Sequence, residues 1–181
     1  MKHLEESILK RYLLIITLLV SFVQSESVKK FYPDGEIMSV TSYKKGKKSG
    51  IEHIYYPDGA TLKYAKNYRA GKLHGLQQIY RKNALLVLEE NYHYGKLDGK
   101  SRYYTNGLLN KEVFYSNGLV DKSYTEFYPT GLKKLEIIWD RGKVVEGHFY
   151  NEIGQGKPLS MEKLKSLKLE AFIASLLHMK E

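Results

Sequence analysis

Residues Gly46 to Tyr68 read GKKSGIEHIYYPDGATLKYAKNY, and this stretch decides the fold. Ile51 to Tyr56 is rich in strand formers. Pro57-Asp58-Gly59 puts proline where a turn fixes φ near −65° and glycine where the chain must reverse. The return segment Thr61 to Tyr68 again ends on an aromatic, so the unit predicts a β-hairpin.

The hairpin recurs every 24 residues. The pairs Phe31/Tyr32, Tyr55/Tyr56, Ile79/Tyr80, Tyr103/Tyr104 and Phe127/Tyr128 keep that interval, as does a turn position filled by Gly35, Gly59, Asn83, Gly107 and Gly131. A second glycine series, Gly46, Gly71, Gly95, Gly118 and Gly142, falls between them, each behind an aromatic: Tyr43, Tyr68, Tyr92, Tyr115 and Trp139. Glycine and asparagine accept positive φ most readily, so two turn series per period imply two short strands per repeat. The expectation is an all-β protein, an elongated single-layer antiparallel meander of about ten strands. A lone hairpin is marginal in water, so each unit must pack on its neighbours. Sixteen tyrosines against six phenylalanines and one tryptophan suit a thin sheet, where a ring packs while its hydroxyl stays near water. Tyr32, Tyr56, Tyr80, Tyr104 and Tyr128 are read as one structural ladder.

Tyr68-Arg-Ala-Gly71-Lys-Leu-His74-Gly75 and Tyr92-His-Tyr-Gly95-Lys-Leu-Asp-Gly99, interleaved with Tyr-Tyr-Pro-Asp-Gly at 55–59, resemble MORN repeats. More closely, they are similar to the bacterial MORN-variant (YwqK-type, antitoxin-like) family, over about residues 31–154. That resemblance implies a scaffold or binding surface, in some relatives a toxin-neutralising role, and carries over no catalytic residue. Three places depart from the pattern. Lys122 stands near the expected second glycine, residues 83–88 lack the Asp-Gly turn, and Gly142 to Gly147 has one extra residue.

The ends differ from the array. Residues 1–25 place Lys2, Lys10 and Arg11 before an unbroken apolar run, Tyr12 to Val23. That run is short of the ~20 residues of a spanning helix and reads as a signal peptide cleaved after Ser25, with an uncleaved anchor as the alternative. Residues 26–157 form the repeat domain. Residues 158–181 read as an amphipathic helix from about Ser160 to Met179, with Leu164, Leu167, Ala171, Ser175 and Met179 stepping at three and four. It suits a cap on the last hairpin, or a docking helix.

There is no cysteine, which removes disulfides and thiolate metal sites. No two of the histidines have a metal-ligand spacing, and His74, directly before Gly75, reads as a turn residue. Nucleophile elbows, zinc-protease helices and phosphate loops are absent from the sequence. The expectation is therefore a non-enzymatic binding protein without cofactor or metal. The net charge of +9 and the turn lysines Lys47, Lys48, Lys72 and Lys96 favour an acidic protein, an anionic lipid or an envelope component as partner. The rings are committed to packing, which disfavours nucleic acid.

Overall fold

A computed structural model describes residues 25–140 and 143–166. They form one open antiparallel sheet of thirteen strands: β1 (Ser25–Phe31), β2 (Ile37–Lys44), β3 (Lys47–Tyr55), β4 (Leu62–Arg69), β5 (Lys72–Tyr80), β6 (Leu86–His93), β7 (Lys96–Leu97), β8 (Gly99–Thr105), β9 (Leu108–Ser116), β10 (Leu119–Phe127), β11 (Lys133–Asp140), β12 (Lys143–Tyr150) and β13 (Gly156–Pro158). Each strand pairs with its chain neighbour; β7 and β8 both pair with β6. The count exceeds ten because Ser25–Phe31 and Gly156–Pro158 extend the meander at its two ends and the strand after Gly95 is split in two. A short helix α1 (residues 161–166) follows.

The turns fall into two kinds. Lys45-Gly46, Ala70-Gly71, Tyr94-Gly95, Asn106-Gly107 and Asn117-Gly118 are two-residue hairpin loops, with φ of 48–52° at the first residue and 69–91° at the glycine. Positive φ at both positions is the type I′ geometry, whose twist matches that of the strands. Gly107 thus belongs with Gly46, Gly71 and Gly95, not with Gly35, Gly59 and Gly131. Gly142 lies outside the described residues. The second kind is a longer loop in which an amide three residues on bonds back, Gly35 to Tyr32, Gly59 to Tyr56, Ala84 to Arg81, Gly131 to Tyr128 and Gly154 to Asn151. In the third loop the left-handed residue is Ala84 (φ 61°), not Asn83. That shifts the phase by one residue, so Tyr80 is equivalent to Tyr55 and not to Tyr56. Tyr104 shifts likewise, because its loop is a type I′ turn.

The phase decides what each tyrosine does. At Tyr32, Tyr56 and Tyr128, at the start of long loops, the hydroxyl donates to the carbonyl that ends the next hairpin strand: Tyr55 at 2.7 Å, Tyr80 at 2.9 Å and Tyr150 at 2.9 Å. At the opposite edge, the Gly71, Gly95 and Gly118 amides donate to the carbonyls of Lys48, Leu73 and Leu97 at 2.7–2.8 Å. Both edges of the sheet are tied from repeat to repeat.

After the turns at Gly46, Gly71, Gly95 and Gly118 the sheet carries a large bulge. Residues 49–51 lie against Ser42, 74–76 against Asn67 and 121–123 against Phe114. The bulge residue is left-handed at Gly50, Gly75, Gly99 and Lys122. Lys122 therefore fills a glycine's place in full geometry. Gly147 does not: with the extra residue, β12 has a smaller irregularity, and Gly147 lies opposite Ile137 in ordinary strand conformation.

A Cβ at Gly147 would overlap Leu164 of α1. Leu164 packs with Ile137 and Trp139 in the most buried cluster, joined by Val120, Tyr124, Leu135, Val144 and Leu159. The Ser160 hydroxyl accepts from the Lys163 amide and caps the helix. The cap expected on the last hairpin is present over 161–166; residues 167–181 and the leader 1–24 lie outside the described residues.

Three outcomes follow from this geometry. Ala84→Gly relieves a left-handed alanine and raises stability by about 0.5–1 kcal/mol, whereas Gly107→Val strains a type I′ turn and lowers it by roughly 1–3 kcal/mol, both read by urea unfolding. Leu164→Ala empties the cluster, costs about 2–5 kcal/mol and moves the emission of Trp139, the single tryptophan, to the red.

Candidate functional site

Alternation along the strands gives the sheet two unlike faces. The registers align Thr41, Glu52, Lys66, Gln77 and Glu90 on one face. The rows beside them hold Tyr64, Ile79, Leu88 and Tyr103, and Tyr43, Tyr68, Tyr92 and Tyr115. The opposite face presents His53, Ala65, Gln78, Glu89, Arg102 and Glu112. There Arg102 bridges Glu112 at 2.9 Å and Glu89 at 3.7 Å, and Tyr104 donates to Glu89.

On the tyrosine face, each bulge opens the ladder, and the residue two beyond the bulge glycine responds. Gln77 uses its amide to replace the missing bonds, accepting from the Asn67 amide (2.9 Å) and donating to the Asn67 carbonyl (3.1 Å). Glu52, in the same place one repeat earlier, is 6% exposed. It accepts from Thr41 Oγ1 at 2.9 Å, Lys48 Nζ at 2.6 Å and the Tyr68 hydroxyl at 3.0 Å. Burial pushes the Glu52 carboxyl up, and the bonds from Lys48, Thr41 and Tyr68 outweigh it, holding the group below its ordinary value.

Toward the middle of the face two adjoining cavities, of about 350 Å³ and 430 Å³, share Glu90, Tyr92, Leu97 and Tyr103 in their walls. Tyr115, Lys96 and Leu119 complete the first; Tyr64, Lys66 and Ile79 border the second. The Tyr92 hydroxyl donates to Glu90 at 2.9 Å. Burial first, and then the Glu90 charge, raises Tyr92, and burial with the Tyr115 hydroxyl and Glu90 raises Tyr103. Both phenols stay protonated donors across the working pH range. Lys111 lies 4.0 Å from the Tyr103 ring, and burial lowers its ammonium against the pull of Glu126. The arrangement is an aromatic-walled recess lined by one acidic side chain, Glu90, and two basic ones, Lys66 and Lys96, a form that takes apolar side chains carrying a polar tip.

The four turn lysines do not act alike. Lys47, Lys72 and Lys96 are exposed at one sheet edge, and Lys96 borders the first cavity. Lys48 turns inward to Glu52, so the structure withdraws it from long-range attraction. The fold also brings together what the sequence spacing keeps apart. His74 and His93 have ring centroids 5.3 Å apart, each within 5 Å of the Tyr94 ring. Among the described residues no group of three or more histidine, aspartate or glutamate side chains is placed to hold a metal. No helix among them is long and apolar enough to cross a membrane.

No family model matches the chain, and no curated protein matches it.

The Glu52 carboxyl is held down in the folded state. Its contribution is fully present above the ordinary carboxylate range near pH 4.3 and is lost as pH falls through the folded value. Glu52→Gln leaves Lys48 without its partner, costs about 1–3 kcal/mol at neutral pH and flattens the acid limb of a stability-against-pH curve measured by urea unfolding.

Proposed function

We propose that this chain is a non-enzymatic, exported β-scaffold of the MORN kind that binds a protein partner through its tyrosine face. The observation that carries the reading is the pair of adjoining cavities walled by Tyr92, Tyr103, Tyr115 and Tyr64. Tyrosine is the residue type that contact surfaces favour, since its ring supplies area with little rotamer freedom to lose and its hydroxyl supplies a bond. Glu90 and Lys66 in the lining select a partner side chain by charge, and Lys47, Lys72 and Lys96 along the edge draw an acidic partner by long-range attraction. The leader-like composition of residues 1–25 supports export, and the resemblance to MORN repeats supports a scaffold role. Neutralisation of an exported toxin is the specific form in which the antitoxin-like resemblance fits this surface.

A photo-crosslinking amino acid at Leu119, which is 68% exposed at the cavity rim, tests the reading in the native host. The expected outcome is one protein adduct, absent with the crosslinker at Leu76, which lines neither cavity, and lost when Leu97→Glu is added. The recovered chain should begin near Glu26. Equal labelling from Leu119 and Leu76, or lipid adducts alone, would overturn the proposal.

A further inference from the structure

His74 sits in the bulge of β5, one residue before left-handed Gly75, and His93 ends β6 one residue beyond Tyr92, the register partner of Gly75. The equivalent neighbours in the adjacent repeats are Ser49 with Arg69 and Asp98 with Ser116, so the repeat itself does not call for two imidazoles here. Their centroids are 5.3 Å apart at 48°. Two imidazoles bound to one tetrahedral ion through metal–nitrogen bonds of about 2.0–2.1 Å place their centroids about 5 Å apart. Tyr94 packs on both rings at 4.8 and 4.9 Å, with the Arg69 guanidinium on its ring. Nδ1 of His74 is buried with no hydrogen-bond partner among the described residues, and an orphaned ring nitrogen in a native protein calls for an explanation such as an ion.

From this geometry we infer that His74 and His93 form a binding site for a divalent transition metal, with water or a partner's side chain in the remaining positions. The surroundings set the chemical class. Arg69, Lys72 and Lys96 are cationic neighbours along this edge, and among the described residues neither imidazole is ion-paired with a carboxylate. Calcium and magnesium, held by oxygen ligands and charge, are disfavoured. Copper, nickel and zinc, held through nitrogen lone pairs, are favoured, copper most strongly. The site is separate from the tyrosine-face cavities, neither of which includes a histidine.

Calorimetric titration of the full chain with copper(II), nickel(II), zinc(II) and magnesium chlorides tests the inference. One equivalent of copper or nickel should bind and magnesium should not. His74→Asn and His93→Asn should each weaken binding at least about tenfold, while His53→Asn and His148→Asn leave it unchanged. Because His74 lies in a bulge, a second measurement keeps the outcome readable if that variant misfolds: nickel added to the native chain should broaden the His74 and His93 imidazole proton resonances ahead of all other histidines. Broadening centred on other histidines, an unaltered isotherm in the His93 variant, or no heat of binding would overturn the site.

Discussion

The structure depends on left-handed backbone at fixed intervals. Among the described residues, the turns and the large bulges after Gly46, Gly71, Gly95 and Gly118 are built on residues at positive φ. A strand side chain changes face with each single-residue slip, so a turn one residue too long would send the tyrosines to the charged face. Type I′ loops at one edge and the longer loops at the other hold that phase, while the bulges absorb the mismatch between them. Backbone bonds such as Gly95 to Leu73 then transmit the setting of one repeat to the next. Register is therefore propagated along the array, although no residue spans more than its neighbouring units.

A single-layer sheet has no second layer to bury its polar interruptions, yet Glu52, Gln77, Ser101 and Thr125 are all among its least exposed residues. The bulges explain two of them. Where three residues face one, ladder donors and acceptors are left over, and a polar side chain beside the gap meets them. Gln77 does so with its amide, and Glu52 substitutes an ion pair and two hydroxyl bonds. Ser101 occupies the same place in the third repeat with its hydroxyl unpartnered among the described residues. The polar row between the tyrosines is thus partly a consequence of the bulge geometry, and it gives this face its charged groups.

Much of this was legible from the chain. The period, the two turn series, the antiparallel meander and the end helix all follow from spacing, because glycine at recurring intervals has a conformational cause. What spacing conceals is phase. Ala84 and Lys122 adopt left-handed conformations that their side chains disfavour, imposed by the repeats on either side, so a search for glycine misplaces one loop and doubts one bulge. The phase of the Ala84 loop and the type I′ turn at Asn106-Gly107 likewise separate Tyr80 and Tyr104 from Tyr32, Tyr56 and Tyr128, which spacing alone groups together, and the two sets have different tasks. The first set meets charged groups on the opposite face, as Tyr104 does with Glu89. The second set staples hairpin to hairpin. The His74–His93 contact was hidden for another reason, since it joins a bulge in one repeat to a turn in the next.

These misreadings separate constraint from freedom in the array. Where a residue recurs at the period, its presence follows from the fold, as with the Gly-Lys turns and the stapling tyrosines. Where the fold tolerates variation, as at the position shared by Glu52, Gln77 and Ser101, or at the pair shared by Ser49/Arg69 and His74/His93, the repeat supplies only a location. Chemistry at such a location is decided by the individual side chain, not by the period. Both candidate sites fall there: Glu90 and Lys66 lie in the variable polar row, and the two imidazoles fill a variable cross-repeat pair. A regular scaffold in this way fixes the distances between irregular side chains, and what distinguishes one place on the sheet from another is the residues that break the repeat.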